Sequence, residues 1–188
     1  MKVNANTLRK GHVMEYNGNL CVVEKYEIMT PGKGASVIQV EIRDLKSGNK
    51  NNIRFRTQET VERVRLEQDD FQYLYEEEDK YTFMNLANYE QISVPMDLLG
   101  DAGKFLQEGM VCIIETYEGA PLGVTLPDSV KVEVLEADPV IKGQTVTTSY
   151  KPAIVTGGVR VLVPPHIEVG TFIIVKTEDG SYYERAKD

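Results

Sequence analysis

The chain has no tryptophan, only two cysteines and two histidines, and no long hydrophobic run. Each scarcity removes a class of chemistry. Cys21 and Cys112 lie far apart, each in an apolar strand-like run, and read as buried free thiols of a reducing compartment, not as a disulfide framework. His12 follows Gly11 in an N-terminal turn, and His166 follows Pro164-Pro165 in a loop. Neither has a second His or a Cys at ligand spacing, so no zinc site is expected. No stretch approaches the roughly 18 apolar residues of a membrane span. The opening MKVNANTLRKGH is too polar for a secretory signal. The expectation is a cytoplasmic protein with no membrane association. No Gly-x-Ser-x-Gly is present, and no Gly-x-Gly-x-x-Gly opens a helix. The acidic runs Asp69-Asp70 and Glu76-Glu77-Glu78-Asp79 lack the glycine and alternating spacing of a calcium loop and read as solvated turns. No catalytic residue, metal or cofactor is expected, which favours a binding or adaptor protein over an enzyme.

What is present is β signal almost throughout. Short runs rich in Val, Ile, Tyr and Thr are punctuated by turn signals such as Tyr16-Asn17-Gly18-Asn19, Lys46-Ser47-Gly48-Asn49 and Glu178-Asp179-Gly180. This spacing implies small barrels or sandwiches. One segment departs from it. Pro95 to Gln107 places Leu98, Ala102 and Phe105 at helical spacing, which predicts a short helix despite Gly100 and Gly103. The expected fold class is all-β, three barrels of about 60 residues each. Breaks near Arg63-Val64 and Leu126-Pro127-Asp128 divide the chain into 1–63, 64–127 and 128–188. Neither break is Gly/Ser-rich or Pro-rich, so the modules are expected to hold a fixed shape.

Charge is distributed unevenly along the 188 residues, whose net value is −8. Residues 1–63 carry 11 basic and 7 acidic side chains, 64–127 carry 3 and 13, and 128–188 carry 7 and 9. A basic first module suits a phosphate-bearing partner, while an acidic middle module disfavours stray nucleic-acid contact.

The most pointed feature is Thr30-Pro31-Gly32-Lys33-Gly34-Ala35. Cys21–Met29 and Ser36–Arg43 alternate apolar and polar on either side, so the segment reads as a β-hairpin with a lysine at its tip. Pro31 fixes one φ, and Gly32 and Gly34 permit positive φ on either side of Lys33. A Walker-type phosphate loop is excluded by spacing, and a strand follows where that motif needs a helix. Arg54 and Arg56 alternate with Ile53 and Phe55 and so share a strand face. With Arg9 and Lys10, which precede a turn, and Lys33 they form a candidate set of phosphate contacts, or a generic solvated β face. In the last module Tyr150, Tyr182 and Tyr183 interleave with Lys151, Arg160, Arg185 and Lys187, which suits RNA contact on an OB-type barrel or an ordinary barrel surface.

These residues resemble a family. Pro31-Gly32-Lys33-Gly34-Ala35 is similar to the modified-lysine loop of bacterial translation elongation factor P. Lys151-Pro152-Ala153, Gly158, Val161-Leu162-Val163-Pro164-Pro165 and Gly170 resemble that family's C-terminal signature. Thr57 to Asp70 and Glu136 to Gly143 also read like it. The resemblance implies an SH3-like (KOW-type) barrel and two OB barrels in an L-shaped, tRNA-like arrangement. It implies a non-enzymatic monomer that binds the ribosome between the peptidyl (P) and exit (E) sites, beside peptidyl-tRNA and rRNA, and relieves stalls at consecutive prolines. Lys33 then carries an extension added by a lysine-modifying enzyme and reaches toward the peptidyl-transferase centre. Tyr182 and Arg185 match a Tyr-x-x-Arg expected to contact ribosome or RNA. Gly143-Gln144-Thr145 matches a loop placed near the exit-site codon, with Gln144 where many members carry Asp. The competing readings are a general OB-fold RNA-binding module with Lys33 as a bystander, a hydrolase using the acidic turns, and a family relative without the stall-rescue role.

Overall fold

The computed structural model describes residues 1–140 and 149–187. The chain forms two compact units, Met1–Glu67 with Thr116–Leu122, and Gln68–Glu115 with Gly123–Asp188.

The first unit holds β1 (Lys2–Asn4), β2 (Val13–Tyr16), β3 (Asn19–Met29), β4 (Val37–Asp44), β5 (Lys50–Arg56) and β6 (Thr60–Val64). They form one antiparallel sheet in the order β1-β6-β2-β3-β4-β5. Period-two alternation dictates which face is buried. On β4, Ile38, Val40 and Ile42 point inward, and opposite them on β5 Ile53 and Phe55 pack onto the same core. Leu8, Met14, Cys21, Val23 and Val61 complete it. The β2–β3 connection is a two-residue turn in which Asn17 and Gly18 both take positive φ, 52° and 81°, the demand of a primed hairpin turn.

The second unit holds β7 (Glu67–Glu77), β8 (Lys80–Asn85), β9 (Gln91–Pro95), β10 (Val111–Tyr117) and β11 (Ala120–Thr125), in the order β11-β10-β7-β8-β9, except for Glu67 and the segment Thr116–Leu122, which fall in the first unit. It also holds β12 (Ser129–Ala137), β13 (Lys151–Val155), β14 (Val159–Val163), β15 (Phe172–Lys176) and β16 (Tyr182–Arg185), antiparallel in the order β14-β13-β12-β15-β16. Both sheets feed one continuous apolar cluster, from Phe71, Phe83 and Ile114 to Val132, Val155 and Ile173. Small sheets bury little on their own, and a shared core offsets that.

The helix predicted for Pro95–Gln107 is cut short. α1 covers only Met96–Leu99, and the chain continues as a 3-10 stretch through Gly100–Phe105. Gly100 takes φ 56° and ψ −133°, outside any helix, and ends it. Gly103 is fixed by packing, because a Cβ there would collide with the hydroxyl and ring of Tyr81. Leu99 and Phe105 are nevertheless buried, so the apolar spacing marked a genuine core face. Among the described residues both cysteines are free and buried, and no helix is long and apolar enough to cross a membrane.

Candidate functional site: the lysine loop and its flanking cations

β3 and β4 pair from Cys21↔Asp44 to Met29↔Val37, with one bulge between Val23 and Lys25. The connection is Thr30 to Ser36. At its base the Ser36 hydroxyl donates to Thr30 Oγ1 at 3.4 Å, and the Thr57 amide donates to the Ser36 carbonyl at 3.1 Å. Pro31, Gly32, Lys33, Gly34 and Ala35 are all exposed. Only one of the two glycines uses its conformational freedom. Gly34 sits at φ 118°, whereas Gly32 is not in the positive region. Gly32 contributes space instead, since nothing lies within 4 Å of where its Cβ would be.

Among the described residues Lys33 makes no ion pair and no side-chain hydrogen bond. The contrast with its own sheet is plain. Lys50 Nζ lies 3.3 Å from Glu24 and 3.4 Å from Glu41, and Arg43 Nε lies 2.8 Å from Glu24. Those cations are held by the sheet; the loop lysine is presented outward.

The register decides which other cations accompany it. Arg54 lies across from Gln39, and Arg56 across from Val37, itself the partner of Met29 at the loop base. Both arginines are exposed and project to the face opposite Ile53 and Phe55. Arg9 does not join them. Its guanidinium stands 5.0 Å from the centroid of Tyr26, which pairs with buried Val40 and so lies on the other face. Arg9 Nη1 donates to the carbonyls of Asn6 at 2.8 Å and Leu8 at 2.7 Å. Of the residues expected to meet phosphate, Arg54 and Arg56 thus share one face of β5, while Arg9, itself exposed, is bonded to carbonyls of its own turn. Sequence reasoning missed Tyr26, because strand alternation reveals which face a ring takes but not which cation lands on it.

His12 serves as a turn acceptor: its Nδ1 accepts a hydrogen bond from the Arg9 amide at 3.1 Å. Burial, Arg63 and Arg9 together lower its pKa from 6.5, which keeps Nδ1 available as an acceptor. Among the described residues no cluster of His, Cys, Asp or Glu is arranged to hold a metal.

In the second unit, Tyr182 and Arg185 sit on β16. Tyr182 is half-buried opposite Val175, with its ring edge-on to Tyr150 at 6.3 Å. Burial, then the neighbouring Tyr150 and Glu184, push its hydroxyl pKa up from 10.0, so it is a neutral hydrogen-bonding group. Arg185 is exposed, across from Ile173. Exposed Tyr183 lies under Lys176 Nζ at 5.6 Å. Gly143, Gln144 and Thr145 lie outside the described residues.

Comparison with known proteins gives these features a context. Three family models cover the chain in order: the elongation factor P KOW-like domain over residues 4–61, the elongation factor P OB domain over 66–124, and the elongation factor P C-terminal domain over 130–185. Proteins named elongation factor P are similar over full length. That of Rhodospirillum centenum is 54% identical over 188 residues, covering 100% of both chains. That of Gluconacetobacter diazotrophicus is 52% identical over 187 residues, again covering 100% of both. That of Zymomonas mobilis is 52% identical over 186 residues, covering 99% of this chain and 100% of the relative. Among solved structures, the eukaryotic translation initiation factor 5A from Methanococcus jannaschii matches with a TM-score of 0.52 at 20% identity, over 68% of this chain and 92% of that one, a likeness of fold alone. With half of its residues shared across the whole length and all three of its domains matched, the chain belongs to the elongation factor P family of translation elongation factors.

Proposed function

We propose that this translation factor binds the ribosome as a monomer beside peptidyl-tRNA, between the P and E sites, and stimulates peptide-bond formation at consecutive prolines. Lys33, extended by a modifying enzyme, reaches toward the peptidyl-transferase centre. The supporting observation is that Lys33 is exposed at a hairpin tip, without an ion-pair partner among the described residues, whereas Arg43 and Lys50 of the same sheet are paired with Glu24. Arg54 and Arg56 then contact rRNA or tRNA phosphates next to the loop. Tyr182 and Arg185, with the Gly143-Gln144-Thr145 segment, supply RNA contacts of the last domain. The three modules act as 1–63, 64–127 and 128–188.

The mechanism is orientation, not chemistry on the protein. Proline is a stiff residue, and a peptidyl-tRNA ending in it adopts unreactive geometry. A cationic arm held beside its terminal adenosine biases it toward attack, and ribosomal RNA performs the reaction. Tenfold acceleration needs only about 1.4 kcal/mol, which a few hydrogen bonds of about 0.5–1.5 kcal/mol each can supply.

The test is a reconstituted translation assay on a message with consecutive prolines. Lys33→Ala is expected to keep the wild-type melting temperature and lose stall relief. A Lys33→Ala protein as active as wild type would refute the reading. Intact-mass analysis of the native protein, with added mass on the Lys33 peptide, tests the extension separately.

A further inference from the structure

β3 changes its neighbours along its length. Asn19 to Val22 pair with β2, and Cys21 and Val22 pair with β4 as well. The last backbone bonds on the β2 side join Val23 to Gly11 at 2.8 Å and to His12 at 2.8 Å. From Lys25 to Met29 the strand pairs with β4 alone among the described residues. This one-sided half carries the Lys33 loop. An antiparallel strand supported on one edge is free to twist and tilt, and whatever it carries moves with it.

One side chain stands against this half from the N-terminal turn. The Arg9 guanidinium covers the ring of Tyr26. Arg9 is itself fixed at both ends. Its amide donates to His12 Nδ1, and its Nη1 donates to the Asn6 and Leu8 carbonyls. The turn that holds it is anchored too, because Leu8 and Ala5 are fully buried and the Ala5 amide donates to Glu59 O at 2.7 Å.

We propose that Arg9 is a positioning residue: a brace, through Tyr26, that aims the β3–β4 hairpin and with it Lys33. The proposal rests on the reading of Lys33 given above. Three features favour a brace over a phosphate contact. Nη1 already serves two internal carbonyls. The residue lies on the face of the sheet opposite Arg54 and Arg56. Its contact falls three ladder positions below the closing pair Met29↔Val37, about 10 Å at the usual rise per residue, so a small tilt at Tyr26 is magnified at the lysine.

The experiment compares Arg9→Met, Tyr26→Ala, Tyr26→Phe and Lys33→Ala in the full chain, by two readouts. The first is backbone hydrogen exchange across residues 24–40. The brace predicts faster exchange in Arg9→Met and Tyr26→Ala, and wild-type exchange in Tyr26→Phe, which keeps the ring under the cation. The second is the rate of prolyl-prolyl bond formation as a function of factor concentration. The maximal rate is expected to fall roughly two- to fivefold in Arg9→Met and Tyr26→Ala, the scale of an exposed cation–π contact, with the half-saturating concentration unchanged and Tyr26→Phe rescued. Unchanged exchange in Arg9→Met overturns the brace. Faster exchange with a wild-type maximal rate overturns its role in aiming Lys33. A raised half-saturating concentration with a shallower salt dependence makes Arg9 a phosphate contact instead. Lys33→Ala separates the two readings: if it is fully active, the function assigned to the loop fails, while the exchange data still judge the brace.

Discussion

β4 ends in two loops built from similar residues, and they behave oppositely. At one end Asp44-Leu45-Lys46-Ser47-Gly48-Asn49 closes on itself. Asp44 Oδ1 accepts from the Lys46 amide at 2.8 Å and the Ser47 amide at 2.9 Å, Gly48 N donates to Asp44 O at 2.8 Å, and Asn49 N donates to Ser47 Oγ at 3.3 Å. At the other end the segment around Lys33 has no such internal acceptor; its one side-chain bond is the 3.4 Å contact between Ser36 and Thr30 at its base. Lys46 and Lys33 are both exposed lysines beside glycine. The difference lies in an aspartate, whose short side chain folds back onto the backbone and satisfies the turn from within. The comparison teaches that the two loops differ in how their backbones are held, since both lysine amines are exposed and unpaired among the described residues.

The largest effect expected from breaking this comparison is functional. Lys33→Ala removes stall relief, whereas Lys46→Ala leaves it intact, both with wild-type melting curves, in the translation assay above. Equal activity of the two variants would erase the distinction between the loops.

Next comes the backbone of the tip. Gly34→Ala places a side chain at φ 118° and is expected to cost on the order of 1–3 kcal/mol, read as a lower midpoint in urea unfolding. Gly32→Ala meets nothing within 4 Å and no positive φ, so its midpoint is expected to stay at the wild-type value or rise slightly. Matching losses in both would mean that the loop's shape does not depend on Gly34.

The closed turn has a pH signature. Its backbone amides hold the Asp44 carboxyl below its ordinary 3.8. The folded state therefore binds this proton less readily than the unfolded chain, so the contribution is present above about pH 4 and fades as pH falls through the lowered value. Asp44→Asn is expected to flatten that part of the acid limb of melting temperature against pH. A limb identical to wild type would dissociate Asp44 from the turn's stability.

The smallest effect belongs to the stem. The His12 pKa lies below 6.5 when folded, so the unfolded chain takes the proton first and stability declines as pH drops from above 6.5 through the folded value. Below that range Nδ1 no longer accepts from the Arg9 amide. His12→Asn is expected to remove this shallow slope between pH 7 and 5 (about the range in which histidine titrates), and an unaltered slope would assign it to other groups.

Much of this was legible in the residues. The hairpin around Lys33, the alternation of Arg54 and Arg56 with Ile53 and Phe55, the turn at Asn17-Gly18 and the burial of both cysteines all follow from period-two patterning and turn chemistry. The segment 95–107 was half legible. Its apolar spacing marked the buried Leu99 and Phe105, but Gly100 and the close approach of Tyr81 to Gly103 limit the helix to one turn. The setting of Arg9 was not legible, for a different reason. It is basic and polar in setting, yet its direction depends on carbonyls of its own turn and on a ring contributed by another strand.

The sequence by itself determined where the strands lie, which faces are buried, and that a lone lysine crowns a tight hairpin, because all of these depend on neighbours within a few residues. Only the tertiary structure decided that the two sheets of the second unit feed one core, that Arg56 lies across from the base of the loop, and that Arg9 stands over Tyr26. Those outcomes depend on strand order and register, which join residues distant along the chain, and no local pattern encodes them.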